Sequence, residues 1–171
     1  MGARGGPDPR DEDFVAFVHG CSRRLQRLAG AVCPDPARAQ DLVQDALVAA
    51  YGHWPAIKDT DPFAYTRASL INANLSYWRR RPWRERFGAA VDDVPEPVAF
   101  TEQLDRRDLL MAGLRTLTAR ERTVIVLRYL EELTERETAD TLHIAVGTVK
   151  STSARALGKL RTALELTDEQ V

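Results

Sequence analysis

The chain has 171 residues, of which 44% are hydrophobic and 29% charged, and its formal net charge is -1. This balance is ordinary for a folded globular protein and excludes a chain disordered throughout. No run approaches the ~18 to 20 apolar residues of a membrane span, and the first residues lack the apolar core of a secretion signal, which predicts a cytoplasmic protein without a membrane segment of its own. The two cysteines, Cys21 and Cys33, predict buried thiols rather than a disulfide framework.

Helical periodicity governs the amino-terminal part, and no segment alternates as a half-buried strand does, so the fold class expected is all-α. A first helix is predicted from about Asp11 to Ala31. Asp35 and Pro36 then supply the N-cap and first-turn proline of a second helix. The apolar positions of this second helix are Leu42, Val43, Ala46, Leu47, Ala50 and Tyr51. The opposite face carries Gln40, Asp41, Gln44 and Asp45, which periodicity alone assigns to a solvated surface rather than to a partner-binding one.

A third helix is predicted from Asp61-Pro62 to about Arg81, after the segment from Gly52 to Thr60 interrupts the pattern. Its predicted apolar stripe consists of Ala64, Ala68, Ile71, Leu75 and Trp78. A second face carries Tyr65, Ser69, Asn72, Ser76 and Arg79. This polar face runs into a cluster formed by Arg79, Arg80, Arg81, Arg84 and Arg86. Such a face is either a solvated surface or one that grips a nucleic-acid backbone and contacts bases.

The composition changes after the arginine cluster. The segment from Pro82 to about Phe100 holds three prolines, a glycine and an acidic patch, which predicts a flexible linker between two domains. The expected organisation is a helical domain over residues 11–86, a linker over 87–100 and a second helical domain over 101–166.

The second domain begins with a predicted helix from about Thr101 to Thr116. Two capping boxes follow, Thr118 with Glu121 and Thr134 with Glu137, and each fixes a helix start. The helix that begins at the first of these boxes is expected to bury Val124, Ile125, Leu127 and Leu130. A short helix from the second box reaches Leu142, and His143 takes a turn position where a left-handed backbone is usual. The last helix is expected to bury Val146, Val149, Ala156, Leu160 and Leu164.

The two short helices and the tight turn between them are typical of a DNA-binding helix-turn-helix. The last helix carries Lys150, Arg155, Lys159 and Arg161, with no acidic residue between Gly147 and Ala163, and turns Thr148, Ser151 and Arg155 outward. Short polar side chains and arginine contact base edges, while lysines hold phosphates. Helical pairs in plain bundles can imitate this pattern, but the capping box, turn and basic helix in succession favour DNA binding.

No constellation typical of an enzyme is present in the sequence. There is no glycine-rich phosphate loop or nucleophile elbow, and the three histidines stand singly. His19 with Cys21 and Cys33 has no zinc-site spacing, and the pair Asp92–Asp93 lies in the predicted linker. The prediction is a protein that is not an enzyme and needs no metal or cofactor.

Four motifs, in order, resemble the sigma-70 factors of bacterial RNA polymerase, specifically the short, sigma-E-like extracytoplasmic-function branch. DLVQDALVAAYGHW and DPFAYTRASLINANLSYWRRR are similar to the helices of sigma region two, and LTARERTVIVLRYLEELTERETADTL followed by VGTVKSTSARALGKLR is similar to sigma region four. The resemblance implies a region two-like bundle and a region four-like helix-turn-helix domain, covering about Phe14 to Leu164. Its implied partners are promoter DNA, core RNA polymerase through the β′ clamp and the β flap, and an anti-sigma protein.

The resemblance also implies roles for individual residues. Contacts to the minus-ten element are expected from Trp54, Lys58, Asn72, Ser76, Arg79, Arg80 and Arg81. Asn72 would help to hold a base flipped from the non-template strand. Contacts to the minus-thirty-five element are expected from Arg128, Thr148, Lys150, Ser151, Thr152, Arg155 and Lys159. Contacts to polymerase are expected from Asp41, Leu42, Gln44, Asp45, Val48 and Tyr51.

Three positions depart from the family pattern. Thr152 stands where many relatives have arginine, Ala145 replaces a serine that commonly caps the last helix, and His143 replaces the usual glycine. Loss of the cap corresponds to about 1 kcal/mol. A different class of protein, a free-standing dimeric regulator that binds a palindromic operator, uses the same helix-turn-helix, but it needs a self-complementary surface and no polymerase.

Overall fold

The computed structural model describes residues 9–80 and 106–168, with side chains over 11–80 and 108–163, and the regular structure of these ranges is helical throughout. The elements in chain order are α1 (Pro9–Val32), α2 (Pro36–Gly52), α3 (Trp54–Ile57), α4 (Pro62–Arg80), α5 (Arg106–Arg115), α6 (Ala119–Ile125) continued by a π-helical turn (Val126–Leu130), α7 (Glu135–Leu142) and α8 (Val146–Asp168). The all-α prediction is confirmed. The predicted linker, 87–100, lies outside the described residues.

The helix starts predicted from capping residues are confirmed. The Asp35 carboxylate accepts hydrogen bonds from the backbone N–H groups of Ala37 and Arg38 at 2.9 and 3.2 Å. Asp61 accepts from the N–H of Ala64 at 2.8 Å, so α4 also begins at a capped proline. Both threonine–glutamate capping boxes form with both of their reciprocal bonds. These starts are local, because each needs only residues within three positions.

Removing one of these caps tests its contribution to stability. Thr134→Ala deletes the hydroxyl that accepts from the Glu137 N–H at 3.1 Å. We expect it to lower the free energy of unfolding by about 1 kcal/mol. Urea denaturation followed by far-ultraviolet circular dichroism measures the change. Thr162→Ala is the matched control, since its hydroxyl bonds only to the Gly158 carbonyl within α8; equal losses in the two variants would contradict a capping role.

One helix was not predicted. The Gly52–Thr60 segment, expected to be irregular, contains the single turn α3. Its cause is tertiary, because Trp54 and Ile57 are buried together and pack against Phe14 and Phe17 of α1. Burial of two large apolar side chains stabilises a turn that the local sequence does not favour.

The predicted apolar stripe of α4 was wrong in part. Ile71 is buried as expected, but the fully buried positions of this helix also include Thr66, Leu70 and Asn74. The two polar side chains can be buried because they bond to backbone: the Thr66 hydroxyl donates to the Pro62 carbonyl at 2.7 Å, and the Asn74 amide donates to the Val32 carbonyl at 3.3 Å. The predicted stripe therefore missed three of the four buried positions of this helix.

Two apolar residues of the second domain are exposed where burial was predicted. Leu130 lies at the end of the π-helical turn, in which the Glu131 N–H bonds to the Val126 carbonyl five residues back, at 3.0 Å. This wider turn rotates Leu130 away from the face that holds buried Leu127. Val146 is the first residue of α8, ahead of Val149, which is fully buried with Val124 and Ala139.

The two halves of the chain share one hydrophobic core. Leu25, Leu28 and Val32 of α1 belong to the same buried cluster as Leu127 and Leu133. Helix α5 lies close against α8, since a Cβ built on Gly113 would stand 3.1 Å from a methyl carbon of Leu160. The expected pair of separate domains is therefore packed together in this conformation.

Both cysteines are free and buried. Burial raises the pKa of the Cys21 thiol and of the Cys33 thiol above their ordinary value. The prediction of buried thiols is confirmed.

Candidate nucleic-acid interface

The helix-turn-helix has the geometry that its sequence predicts. Helix α7 ends at Leu142, and the capping residue after it, His143, has a left-handed backbone with φ 53° and ψ 48°. The N–H of Ile144 then bonds to the Ala139 carbonyl at 3.0 Å, which closes the end of the helix. Helix α8 follows after Ala145, whose carbonyl accepts from the N–H groups of Thr148 and Val149 at 2.9 and 3.2 Å. Histidine thus takes the turn position without altering the motif.

The exposed side of α8 faces a concavity shared with the start of α6. Its volume is ≈ 270 Å³, and it is lined by Thr118, Arg120, Glu121, Thr148, Ser151, Thr152 and Arg155. Ser151 and Arg155 are exposed and Thr148 is half-buried, so the predicted outward face is largely present. Arg120 was not among the predicted site residues. The sequence signal that could have identified it is an arginine in the first turn of α6, the helix that packs against α8.

Two predicted contacts on this face need correction. Thr152 is only 5% exposed, so it lines the concavity from within and cannot project into a groove as an arginine would. The Lys159 ammonium lies 2.9 Å from a carboxylate oxygen of buried Glu121, so its nearest anion is within the protein. Each correction follows from how α8 packs on α6, which the sequence does not specify.

Glu121 remains a charged partner despite its burial. Burial alone would raise its pKa, but hydrogen bonds from Lys159 and Thr118 outweigh that effect and lower the pKa below its ordinary value. The carboxylate is therefore ionised at neutral pH. It cancels the charge of Lys159 locally and leaves Arg120 and Arg155 as the positive groups lining the concavity.

The other basic residues of this domain are engaged to different degrees. Lys150 forms a 3.6 Å ion pair with Glu135, and both side chains are substantially exposed, so solvent screens the pair and it exchanges readily. The Arg128 guanidinium donates to the Leu133 carbonyl and is half-buried, which ties it to the turn after the π-helical segment.

A second polar surface lies along α4. Asn72, Arg79 and Arg80 are exposed and Ser76 is half-buried, with the Arg79 guanidinium donating to the Ser76 hydroxyl at 3.2 Å. Lys58 is exposed in the loop before α4. Arg81 lies outside the described residues. The structure thus places one amide and two guanidinium groups on an accessible part of α4.

Trp54, predicted on this side as a DNA contact, is a core residue. It is 4% exposed, and its ring centroid lies 5.1 Å from that of Phe14 and 5.2 Å from that of Phe17. The prediction of a surface contact was wrong, because the apolar cluster between α1 and α3 takes up the indole. Trp78, expected in the core, is half-buried beside Tyr77.

The predicted polymerase-binding residues of α2 fall on two sides of that helix. Asp41, Gln44, Asp45, Val48 and Tyr51 are all exposed, and Val48, at 71%, is the most exposed large hydrophobic side chain of the described residues. Leu42 is 0% exposed and belongs to the core, so its prediction as a contact residue was wrong. Helical spacing puts Leu42 and Ala46 together on the inner face.

Two further kinds of site are absent from the described residues, a metal centre and a membrane-spanning helix. No group of three or more histidine, cysteine or acidic side chains in the described residues could hold a metal ion. Across the described helices, none is both long enough and apolar enough to cross a membrane.

A helix-turn-helix with a polar, basic face, packed on a helical bundle with its own polar and arginine-bearing face, defines a two-part DNA-binding protein. Residues 17–84 match the family model Sigma-70 region 2, and residues 113–162 match Sigma-70, region 4. The chain is 41% identical to the RNA polymerase sigma-E factor of Streptomyces avermitilis over 162 residues, which cover 91% of this chain and 87% of that protein. It therefore belongs to the sigma-70 family of RNA polymerase sigma factors.

Further relatives agree with this membership. The ECF RNA polymerase sigma factor SigL of Mycobacterium tuberculosis is 33% identical over 147 residues, or 82% of each chain. Among solved structures, the sigma factor RpoE of Bartonella quintana, in complex with the anti-sigma factor NepR, matches with a TM-score of 0.68 and 25% identity over 90% of this chain and 98% of that one. CnrH in complex with the cytosolic domain of CnrY matches with a TM-score of 0.59 and 25% identity over 90% and 88%.

Proposed function

We propose that this sigma factor docks on core RNA polymerase through the exposed face of α2, opens the minus-ten element with α4 and binds the minus-thirty-five element with α8. The observation that supports this most directly is the order of the two family matches: the region 2 match contains the exposed faces of α2 and α4, and the region 4 match contains that of α8. The factor supplies promoter specificity and strand opening, and polymerase supplies the chemistry. Sigma factors are not an enzyme family, and the action proposed is a cytoplasmic one.

The α2 surface suits a partner better than solvent. It combines the exposed apolar groups of Val48 and Tyr51 with the acidic side chains of Asp41 and Asp45. An apolar centre with a charged rim is the usual composition of a protein interface. We assign this surface to the β′ clamp, and the region four-like domain to the β flap.

The α8 surface suits duplex DNA. Arg155 and Ser151 are exposed on one face, and Lys150 is held only by an exposed ion pair that a phosphate can replace. The missing side-chain cap at Ala145 and the buried Thr152 leave few strong contacts. The domain alone is therefore expected to bind weakly, and polymerase, by joining both DNA-binding domains, supplies the effective concentration that raises overall affinity.

Reconstituted transcription tests the assignment. Core polymerase with the full chain should produce a defined run-off transcript from a promoter identified by mapping start sites after induced expression, and core polymerase alone should not. Co-purification with core polymerase should accompany this activity. A protein that instead binds a palindromic operator as a dimer, with no effect on core polymerase, would be the free-standing regulator and would refute the proposal.

Arg155→Ala tests the minus-thirty-five assignment. We expect the holoenzyme to bind a promoter carrying this element about tenfold more weakly, because a bidentate arginine–base contact contributes about 1 to 3 kcal/mol. Gel-shift titration at fixed salt measures the change. Arg115→Ala removes the same charge from exposed α5 and should have little effect; if the Arg115 variant loses as much as the Arg155 variant, the effect is one of net charge and the assignment fails.

An anti-sigma protein is a further proposed partner. Among the matching solved structures, the sigma factor RpoE of Bartonella quintana is bound to the anti-sigma factor NepR, and CnrH is bound to the cytosolic domain of CnrY. Both matches extend over 90% of this chain, so they include both of its halves. Pull-down with the full chain, identified by mass spectrometry and repeated with the purified candidate, tests this partner.

A further inference from the structure

The junction between the two halves of the chain contains a buried carboxylate with two arginine partners. Glu131 has a side chain only 2% exposed. It accepts from the Arg24 guanidinium at 2.9 and 3.4 Å and lies 3.5 Å from the Arg67 guanidinium. Arg24 and Arg67 belong to α1 and α4, whereas Glu131 follows the π-helical turn of the second domain. This cluster therefore joins the two domains by charge.

The backbone around Glu131 aims its side chain at this junction. Its N–H bonds to the Val126 carbonyl at 3.0 Å, and the Leu133 N–H bonds to the Leu127 carbonyl at 3.0 Å. Glu132 between them has a positive φ of 56°. A non-glycine residue in this conformation is uncommon and is kept where the surroundings require it. The π-helical turn thus positions the Glu131 carboxylate at the junction between the two domains.

Aromatic and backbone contacts complete the junction. The Phe63 ring centroid lies 4.1 Å from the Arg24 guanidinium carbon and 5.7 Å from that of Arg67. Nearby, Arg122 is 5% exposed and donates to the carbonyls of Leu114 and Leu117 at 2.8 Å each and to that of Val32, across the junction, at 3.3 Å. Burial lowers the pKa of Arg122 to about 10, so it stays charged at neutral pH.

With its two domains packed together, the chain is too short to contact both promoter elements at once. The positions in the names of the two elements, minus ten and minus thirty-five, lie about 25 base pairs apart, or roughly 85 Å at 3.4 Å per base pair. A compact chain of this length is roughly 40 Å across. The 25 residues from 81 to 105 can span at most about 80 to 90 Å, so the chain length between the domains allows them to separate that far. Simultaneous binding of both elements requires the junction to open.

We propose that the ion pairs of Glu131 with Arg24 and Arg67 form a latch, which keeps the two domains of this sigma factor packed together until polymerase and promoter separate them. The proposal rests on the two-element function proposed above. An ionic junction suits a reversible latch, because each charged group regains water on opening and that hydration offsets part of the lost attraction. The apolar part of the junction, where Leu25, Leu28 and Val32 share a buried cluster with Leu127 and Leu133, has no such compensation.

Distance measurement between the domains tests the latch in the full chain. Spin labels on Ala37→Cys in α2 and Ala154→Cys in α8 occupy exposed sites, while Cys21 and Cys33 are buried. Double electron–electron resonance should give a short-distance population for the otherwise unmodified chain. Glu131→Gln, which keeps the shape and removes the charge, should raise the ratio of long-distance to short-distance molecules about tenfold. Glu132→Gln makes the same charge change at the exposed neighbouring residue and should leave the ratio unchanged.

A second variant covers the case in which Glu131→Gln fails to fold. Arg24 is 47% exposed, so Arg24→Gln should fold and should also raise the ratio, with exposed Arg23→Gln as its control. Unchanged distances in both latch variants, or a parent chain already dominated by long distances, would overturn the proposal. The measurement uses neither polymerase nor DNA, so its failure would leave the sigma-factor function standing, and failed transcription would leave the distance result intact.

Discussion

Asn72→Ala should lower run-off transcription about 30-fold while hardly changing the binding of closed duplex. Asn72 is exposed on α4, about two turns before Arg79 and Arg80. Loss of a side-chain contact to a flipped base corresponds to ~2 kcal/mol, because good amide–base hydrogen bonds contribute 1 to 3 kcal/mol. That contact exists only after the base leaves the stack, so its loss affects opening rather than initial binding.

The experiment compares two templates with the same holoenzyme. Permanganate footprinting on the duplex promoter reports opening, and a template with a premelted minus-ten region bypasses the step. Transcription by the Asn72 variant should recover partly on the premelted template, because the holoenzyme no longer has to separate the two strands of the minus-ten element. Gln26→Ala, an exposed amide on α1, is the control. Normal permanganate reactivity in the Asn72 variant would reject its proposed role.

Trp54→Ala should lower the free energy of unfolding by about 3 to 5 kcal/mol, the usual result for removal of a buried large aromatic side chain. The indole packs against Phe14 and Phe17 and anchors α3. A loss of this size is a large fraction of the stability of an ordinary domain. Urea denaturation measures it.

The same experiment separates a core role from a surface role for Trp54. Lys58→Ala, four residues later and exposed, should change stability by less than about 0.5 kcal/mol. A Trp54 variant that unfolds at the same urea concentration as the parent chain, but transcribes poorly, would restore the surface contact that the sequence resemblance implied.

The features that the sequence predicts correctly are those determined within a few residues. The caps at Asp35, Asp61, Thr118 and Thr134 depend on neighbours three positions away, and so does the left-handed turn at His143. Such local patterns determine the backbone conformation at helix ends without contacts from distant parts of the chain. The exposed faces of α2 and α8 follow in the same way from helical period.

The features that the sequence missed depend on contacts between distant segments. Trp54 is buried because α1 lies over it, and Thr152 because α8 packs on α6. The π-helical turn rotates Leu130 outward and brings Glu131 to Arg24, 107 residues earlier in the chain. No local pattern encodes a partner at that distance. The candidate DNA and polymerase contacts therefore came mostly from the family resemblance, and packing then removed Trp54 and Leu42 from them.

The burial of Cys21 and Cys33 limits how this factor can respond to oxidants. Both cysteines of the chain are free and buried, and burial raises the pKa of each thiol, so both are protonated at physiological pH. Peroxides and disulfides react with thiolates, and they need access to the sulfur. We therefore expect that an oxidative signal carried by cysteine chemistry is sensed by another molecule and reaches this protein by binding.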